Sequence, residues 1–262
     1  MLKVYHYSLC PFSRMLRIVL KEKGLDFVLH SENFWERNDD FLLLNPAGTL
    51  PVIVIDEEIK NATEIGPIGQ ELAQDQSIQN TRKDQSAQKK GGRLSEKSVV
   101  IRGMYAITEY LEEVYGHIFI KEETAEKKSH IRYLVDWFNN KFYTEVTRYI
   151  LFEKIIRTVT RNGAPNSLAI RAAKKNIAYH LNYVEYLLGD NAYLCSESPT
   201  LADYAAAAQL STLDFVGDVP WERNPKAKNW YALIKSRPSF KPILLDEIAG
   251  ITVPACYADP DF

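Results

Sequence analysis

The stretch "LKVYHYSLCPFSRMLRIVLKEKGLDFVLHSE", residues 2–32, changes its hydrophobic period twice. Residues 2–6 alternate in character and predict a short strand. From Ser13 the period becomes helical, with Met15, Leu16, Ile18, Val19 and Leu20 forming the apolar positions. Gly24 lies just past the last turn, where a helix stop belongs. Residues 26–32, "DFVLHSE", then predict a second strand. Cys10 and Pro11 stand at the first strand-to-helix turn, where unpaired helix N–H groups favour an anion.

Outward from this unit, "NFWERNDD" (33–40) predicts a charged loop and "FLLLNPAG" (41–48) a short helix. "TLPVIVIDE" (49–57) predicts a buried strand with Pro51 near its start. Strand, helix, strand, loop, strand is the opening of a small α/β domain. Residues 60–98 break the pattern. They include "GQELAQDQSIQNTRKDQSAQKKGGRLSEKS" (69–98), which is too poor in large apolar side chains to offset its ordering entropy. A flexible insertion is expected there. "VVIRG" (99–103) resumes as a strand, and "MYAITEYLEEVYG" (104–116) reads as a helix ending at Gly116.

Beyond residue 122 the period is helical. Over 125–160, Ile131, Leu134, Val135, Phe138, Phe142, Val146 and Ile150 share one stripe. Further helices are expected over 166–190, 198–216 and 224–240. In the second of these Thr200 and Asp203 stand at capping-box positions, and the run "AAAA" suits close helix packing. The end, "AGITVPACYADPDF" (249–262), carries no helical period and is expected to be extended.

Composition narrows the function. With 262 residues, 46% of them hydrophobic, the chain can build one large core or two modest ones. A balance of 32 basic against 34 acidic residues argues against an extended nucleic-acid surface. No apolar run reaches the roughly 18 residues of a membrane span, so no membrane insertion is expected. Three cysteines, Cys10, Cys195 and Cys256, make no disulfide framework and fit a cytoplasmic protein. The five histidines show no metal-ligand spacing, and no metal is expected.

Three segments carry a resemblance. "CPFSRMLRIVLKEKGLDF" (10–27), "NPAGTLPVI" (45–53) and "SPTLADYAAAA" (198–208) with "NPKAKNWYALIKSRPSF" (224–240) resemble the glutathione S-transferase superfamily across both of its domains. The resemblance implies an α/β plus all-α fold. A thioredoxin-like domain would occupy 1–116 with the insertion at about 60–98, an all-helical domain 117–249, and an extended tail 250–262. It also implies a homodimer.

In that family a Ser, Tyr or Cys near the first helix stabilises or replaces the glutathione thiolate. The resemblance therefore implies Cys10 and Ser8 as catalytic candidates and Ser13 as a glutathione-binding one. Two readings of Cys10 stand side by side. Partly exposed, it would have a lowered pKa and form mixed disulfides with glutathione; buried, it is a small apolar residue at a tight turn. Likewise a cis Pro51 either presents the Leu50 backbone to a peptide-like ligand or only shapes the fold. Family members that bind glutathione carry an acid and a Ser before the helix after the fourth strand. Gly103 and Met104 occupy those positions here, and neither replaces a carboxylate and a hydroxyl. Arg102 is a substitute contact one position early. Losing two or three charge-assisted hydrogen bonds, each worth about 1.5–3 kcal/mol, weakens binding by orders of magnitude.

Two further segments resemble a subgroup, the GST-like cell-division proteins of alphaproteobacteria that bind and curve FtsZ filaments. They are the loop in "SENFWERNDDFLLLNPAG" (31–48) and the tail "CYADPDF" (256–262). The loop also has hot-spot composition, a large apolar anchor beside Arg. On this resemblance Trp35, Glu36 and Arg37 contact FtsZ. Tyr257, Asp259, Asp261 and Phe262 meet a second division partner. The competing expectation is a glutathione-dependent transferase or thiol reductase using Cys10 or Ser8.

Overall fold

The computed structural model describes residues 2–55, 98–121 and 124–259. Apart from Ser98, the insertion expected at 60–98 lies outside the described residues. The chain forms two compact units, Met1–Tyr7 with Asp26–Gly116, and Ser8–Leu25 with His117–Phe262.

Among the described residues, the first unit is a four-stranded mixed sheet with two helices. Strands β1 (Leu2–His6), β2 (Phe27–Ser31), β3 (Val52–Ile55) and β4 (Val99–Arg102) lie in the order β2-β1-β3-β4. β1 runs parallel to β2 and antiparallel to β3, and β3 is antiparallel to β4. Alternation in β1 buries Leu2, Val4 and His6, whereas β3 is buried throughout, as its unbroken Val/Ile run requires. Helix α2 spans Asp39–Leu44, starting earlier and ending sooner than its apolar run suggests. The Asn38 side chain accepts from the Asp40 amide at 3.0 Å and sets the start. Asn45 precedes Pro46, which disfavours helical backbone, and ends it. Helix α3 (Met104–Val114) follows β4 and buries Ile107 and Leu111.

The second unit is helical. It contains α1 (Pro11–Glu22), which packs on α6 (Leu201–Asp214). Pro11 at the first turn starts α1, and Gly24, at φ 67°, follows its end. Every residue of α6 is buried, and Ala202 and Ala205–Ala208 let α1 approach closely. A helical run over 125–160, α4, buries the whole predicted stripe. Its turns widen to π-type at Trp137–Thr147 and Leu151–Ile156. Helix α5 (Ser167–Leu188) is capped by the Asn166 side chain. Helices α7 (Pro225–Lys235), α8 (Lys241–Leu244) and α9 (Ala255–Ala258) follow. The Thr200–Asp203 capping box is formed as its spacing predicts.

Glu22, at the end of α1, takes both oxygens to Arg237 at 2.6 and 2.7 Å. Burial alone would raise its pKa, but the hydrogen bonds from Arg237 and Ser239 prevail and hold it below the ordinary 4.5. A carboxylate depressed on folding stabilises the protein above its unfolded value and loses that contribution as pH falls through the folded one. Glu22→Gln should therefore be less stable than the parent at neutral pH, with the gap closing as pH drops below about 4.5. Urea midpoints across pH measure this. A gap independent of pH would remove the ion pair from the account.

Candidate functional site

The loop after β2 is built on a cluster of three rings. Trp35 meets Tyr7 edge-on at 5.0 Å and Phe34 at 5.1 Å, and Tyr7 and Phe34 lie 6.0 Å apart. Tyr7 is buried at the end of β1, while Phe34 and Trp35 are half-buried. The cluster therefore anchors Trp35 from below and leaves part of its ring in solvent. The Asn33 side chain donates to Glu36 at 2.9 Å, and the Glu36 amide donates to the Asn33 carbonyl at 2.8 Å. These bonds close a tight turn. Arg37 follows in left-handed backbone, φ 52°, and both Glu36 and Arg37 are exposed. A non-glycine residue there is uncommon and costs free energy. Burial, then the nearby Glu36 charge, raises the pKa of Glu32. Together these features give a rigid aromatic foot carrying an exposed acid and an exposed base.

The residues expected to hold glutathione divide between the two units. In the first, Leu50 is buried and its bond to Pro51 is cis. Register places Val52 opposite Arg102, so Pro51, Arg102, Gly103 and Met104 come to one end of the sheet. Arg102 donates its Nε to the Leu44 carbonyl. Gly103 adopts φ 83° with open space where a Cβ would stand. Met104 opens α3 and is buried. A glycine in a backbone region that side chains rarely adopt, followed by a thioether, does not fit a γ-glutamyl group that needs an acid and an alcohol.

In the second unit, Cys10 is the N-cap of α1 and is 6% exposed. Burial pushes its thiol above the ordinary value, against hydrogen bonds from Ser13 and the backbone of Ser13 and Phe12. The exposed, activated thiolate that disulfide chemistry needs is not what the geometry supplies. Ser13 is fully buried and Ser8 half-buried. Phe12 stacks edge-on against Tyr143 at 4.7 Å.

The tail corrects one expectation. Instead of an extended end, residues Ala255–Ala258 form a single helical turn, and Tyr257 is fully buried. Its hydroxyl accepts from Arg14 Nη1 at 2.8 Å and donates to the Ile243 carbonyl at 3.2 Å. Tyr257 is therefore a core residue as folded, because a buried cation needs its oxygen. Asp259 is exposed, whereas Asp261 and Phe262 lie outside the described residues. Sequence reasoning missed Arg14, Asp246 and Tyr7. No local pattern marks them, since the burial of Arg14 within α1, nine of whose twelve residues are buried, is a property of the fold. Among the described residues no cluster of His, Cys, Asp or Glu could hold a metal ion, and no helix is long and apolar enough to cross a membrane.

Comparison with known proteins agrees with this architecture. The family model for the glutathione S-transferase N-terminal domain matches residues 9–114, and that for the C-terminal domain matches 168–233. FtsZ-localized protein A from Caulobacter vibrioides is 34% identical over 259 residues, 99% of this chain and 97% of that protein. The crystal structure of a glutathione S-transferase from Rhodospirillum rubrum F11 is 37% identical at a TM-score of 0.80, with full coverage of both chains. The structure of FzlA from C. crescentus is 33% identical at a TM-score of 0.81, covering 100% of this chain and 99% of that one.

Proposed function

We propose that this chain, which belongs to the glutathione S-transferase family, is an FtsZ-binding cell-division protein of the bacterial cytoplasm with little glutathione chemistry. The observation that carries this reading is the loop at 33–37. A half-exposed Trp35 rests on two further rings and is flanked by exposed Glu36 and Arg37. Interfaces draw most of their energy from such rigid aromatic and Arg anchors. The full-length likeness to an FtsZ-localized protein supports FtsZ as the partner. The proposed contacts are Trp35, Glu36 and Arg37 for FtsZ, with Asp259, Asp261 and Phe262 for a second division protein.

A homodimer is part of the proposal, since a two-fold axis would present two such loops and allow a filament to be bridged or bent. Support comes from a line of rings along α4 and α5. Tyr133, Trp137 and Tyr183 meet in succession as tilted pairs, Tyr183 stacks on Tyr186, and Tyr133 and Tyr186 remain 50% and 79% exposed. An enzyme using Cys10 or Ser8 is the weaker reading, because Cys10 is buried with its thiol pKa raised.

The test is co-sedimentation with FtsZ polymers assembled with GTP. The chain should enter the pellet in proportion to polymer and saturate. A chain that stays in the supernatant at every polymer concentration would sink the proposal.

A further inference from the structure

We infer that α9 is a latch on the turn that leads into α1, so that the C-terminal tail and that turn open as one unit. The link is the Arg14 guanidinium, which is 0% exposed. Its Nε donates to the Ser8 carbonyl at 2.7 Å, and its Nη1 donates to the Tyr257 hydroxyl at 2.8 Å. Nη1 also reaches Ser211 Oγ at 3.0 Å, and Nη2 reaches Asp246 at 3.3 Å. One planar cation thus holds the backbone of the turn with one edge and the tail with another.

Local backbone bonds, Tyr257 amide to Pro254 carbonyl and Arg14 amide to Cys10 carbonyl, both at 3.0 Å, do not by themselves secure either end. A single turn such as α9 cannot sustain itself, since nucleation costs more than one hydrogen bond returns. It is pinned by Arg14 at Tyr257 and by Lys235, whose Nζ donates to the Cys256 carbonyl at 3.0 Å. The Tyr257 ring packs edge-on against Phe215 at 5.2 Å. On the other side, Ser8 to Cys10 is irregular backbone. Its carbonyls go to Arg14 Nε from Ser8, to Thr212 Oγ1 at 3.2 Å from Leu9, and to the Arg14 amide at 3.0 Å from Cys10.

If the tail lifts, Arg14 loses its hydroxyl partner inside a buried site. A buried guanidinium left short of acceptors is costly. The side chain lowers that cost by following the tail toward water, which frees the Ser8 carbonyl and uncovers Cys10. Two states result, with tail docked and turn fixed, or tail lifted and turn loose. Linkage makes the coupling reciprocal: a ligand that holds the tail undocked loosens the turn, and one that needs the turn loose releases the tail. None of this depends on which partner the tail meets, or on FtsZ.

Cys10 reports the state of the turn. In a Cys195→Ser, Cys256→Ser background, labelling of Cys10 by N-ethylmaleimide should be slow. Adding Tyr257→Phe keeps the ring and deletes only the hydroxyl. Labelling should then accelerate about tenfold or more, because a charge-assisted bond lost from the closed state enters the opening equilibrium directly. Amide exchange in α5 should stay unchanged. An unchanged labelling rate, or an equal acceleration of exchange throughout α5, overturns the latch. In the unmodified protein, hydrogen exchange at Leu9 and Cys10 should report the same opening equilibrium as α9. Protection differing by more than about 100-fold between the two segments would overturn it as well.

Discussion

Trp35→Ala is expected to weaken binding to FtsZ polymers by about 30-fold or more, the loss that follows when a central aromatic anchor worth at least about 2 kcal/mol is truncated. The ring contributes in two ways. It is half-exposed on the loop, and it braces Phe34 and Tyr7. Truncation removes the anchor and unseats a neighbour, so some loss of stability accompanies the loss of binding. Arg37→Gly separates the two effects. Arg37 sits at φ 52°, a conformation glycine adopts freely, so this change deletes the guanidinium while relieving backbone strain. Binding should fall with the melting temperature unchanged or slightly higher. Co-sedimentation curves alongside thermal melts read both quantities. Full binding by both variants would clear the loop of any role.

Asp203→Ala should be the most damaging single change to the fold, at roughly 3–5 kcal/mol, as for other broken buried charge networks. Its carboxylate is fully buried and accepts four hydrogen bonds. They come from the Leu194 amide at 3.0 Å, the Thr200 amide at 2.8 Å, the Thr200 hydroxyl at 2.9 Å and Trp230 Nε1 at 2.9 Å. Burial pushes the pKa of the group up, and only these donors make the anion tolerable. Alanine strands all four donors away from water, where each unmade bond is expensive. Urea denaturation gives the measurement. A loss below about 1 kcal/mol would show that the donors find other partners.

The same two sites mark how far the sequence can be read. Thr200 and Asp203 are three residues apart, and a capping box is a local pattern, so its formation was legible. Trp230 as the fourth donor was not, because it lies on another helix. The helix α1, its stop at Gly24 and the apolar stripe of α4 follow from periodicity alone. Arg14 carries no sequence signal of its burial. Its partners Ser211 and Tyr257 are 197 and 243 residues away, and nothing local announces them. The tail failed for the same reason: its order comes from a distant guanidinium rather than from any helical period. Trp35 was legible as a loop aromatic beside charged residues, but its footing on Tyr7 required β1 and the loop to be placed in space. The residue types at Gly103 and Met104 were legible in the sequence, whereas the positive φ of Gly103 came only with the fold.

Calorimetric titration with reduced glutathione tests the central claim most directly. With glycine and a thioether where an acid and an alcohol should grip, no saturable heat is expected up to about 10 mM, weaker than the roughly 4.1 kcal/mol that a millimolar dissociation constant represents. Saturation with a dissociation constant well below about 1 mM would mean that the anchor has been rebuilt from other side chains, and would restore the enzyme reading.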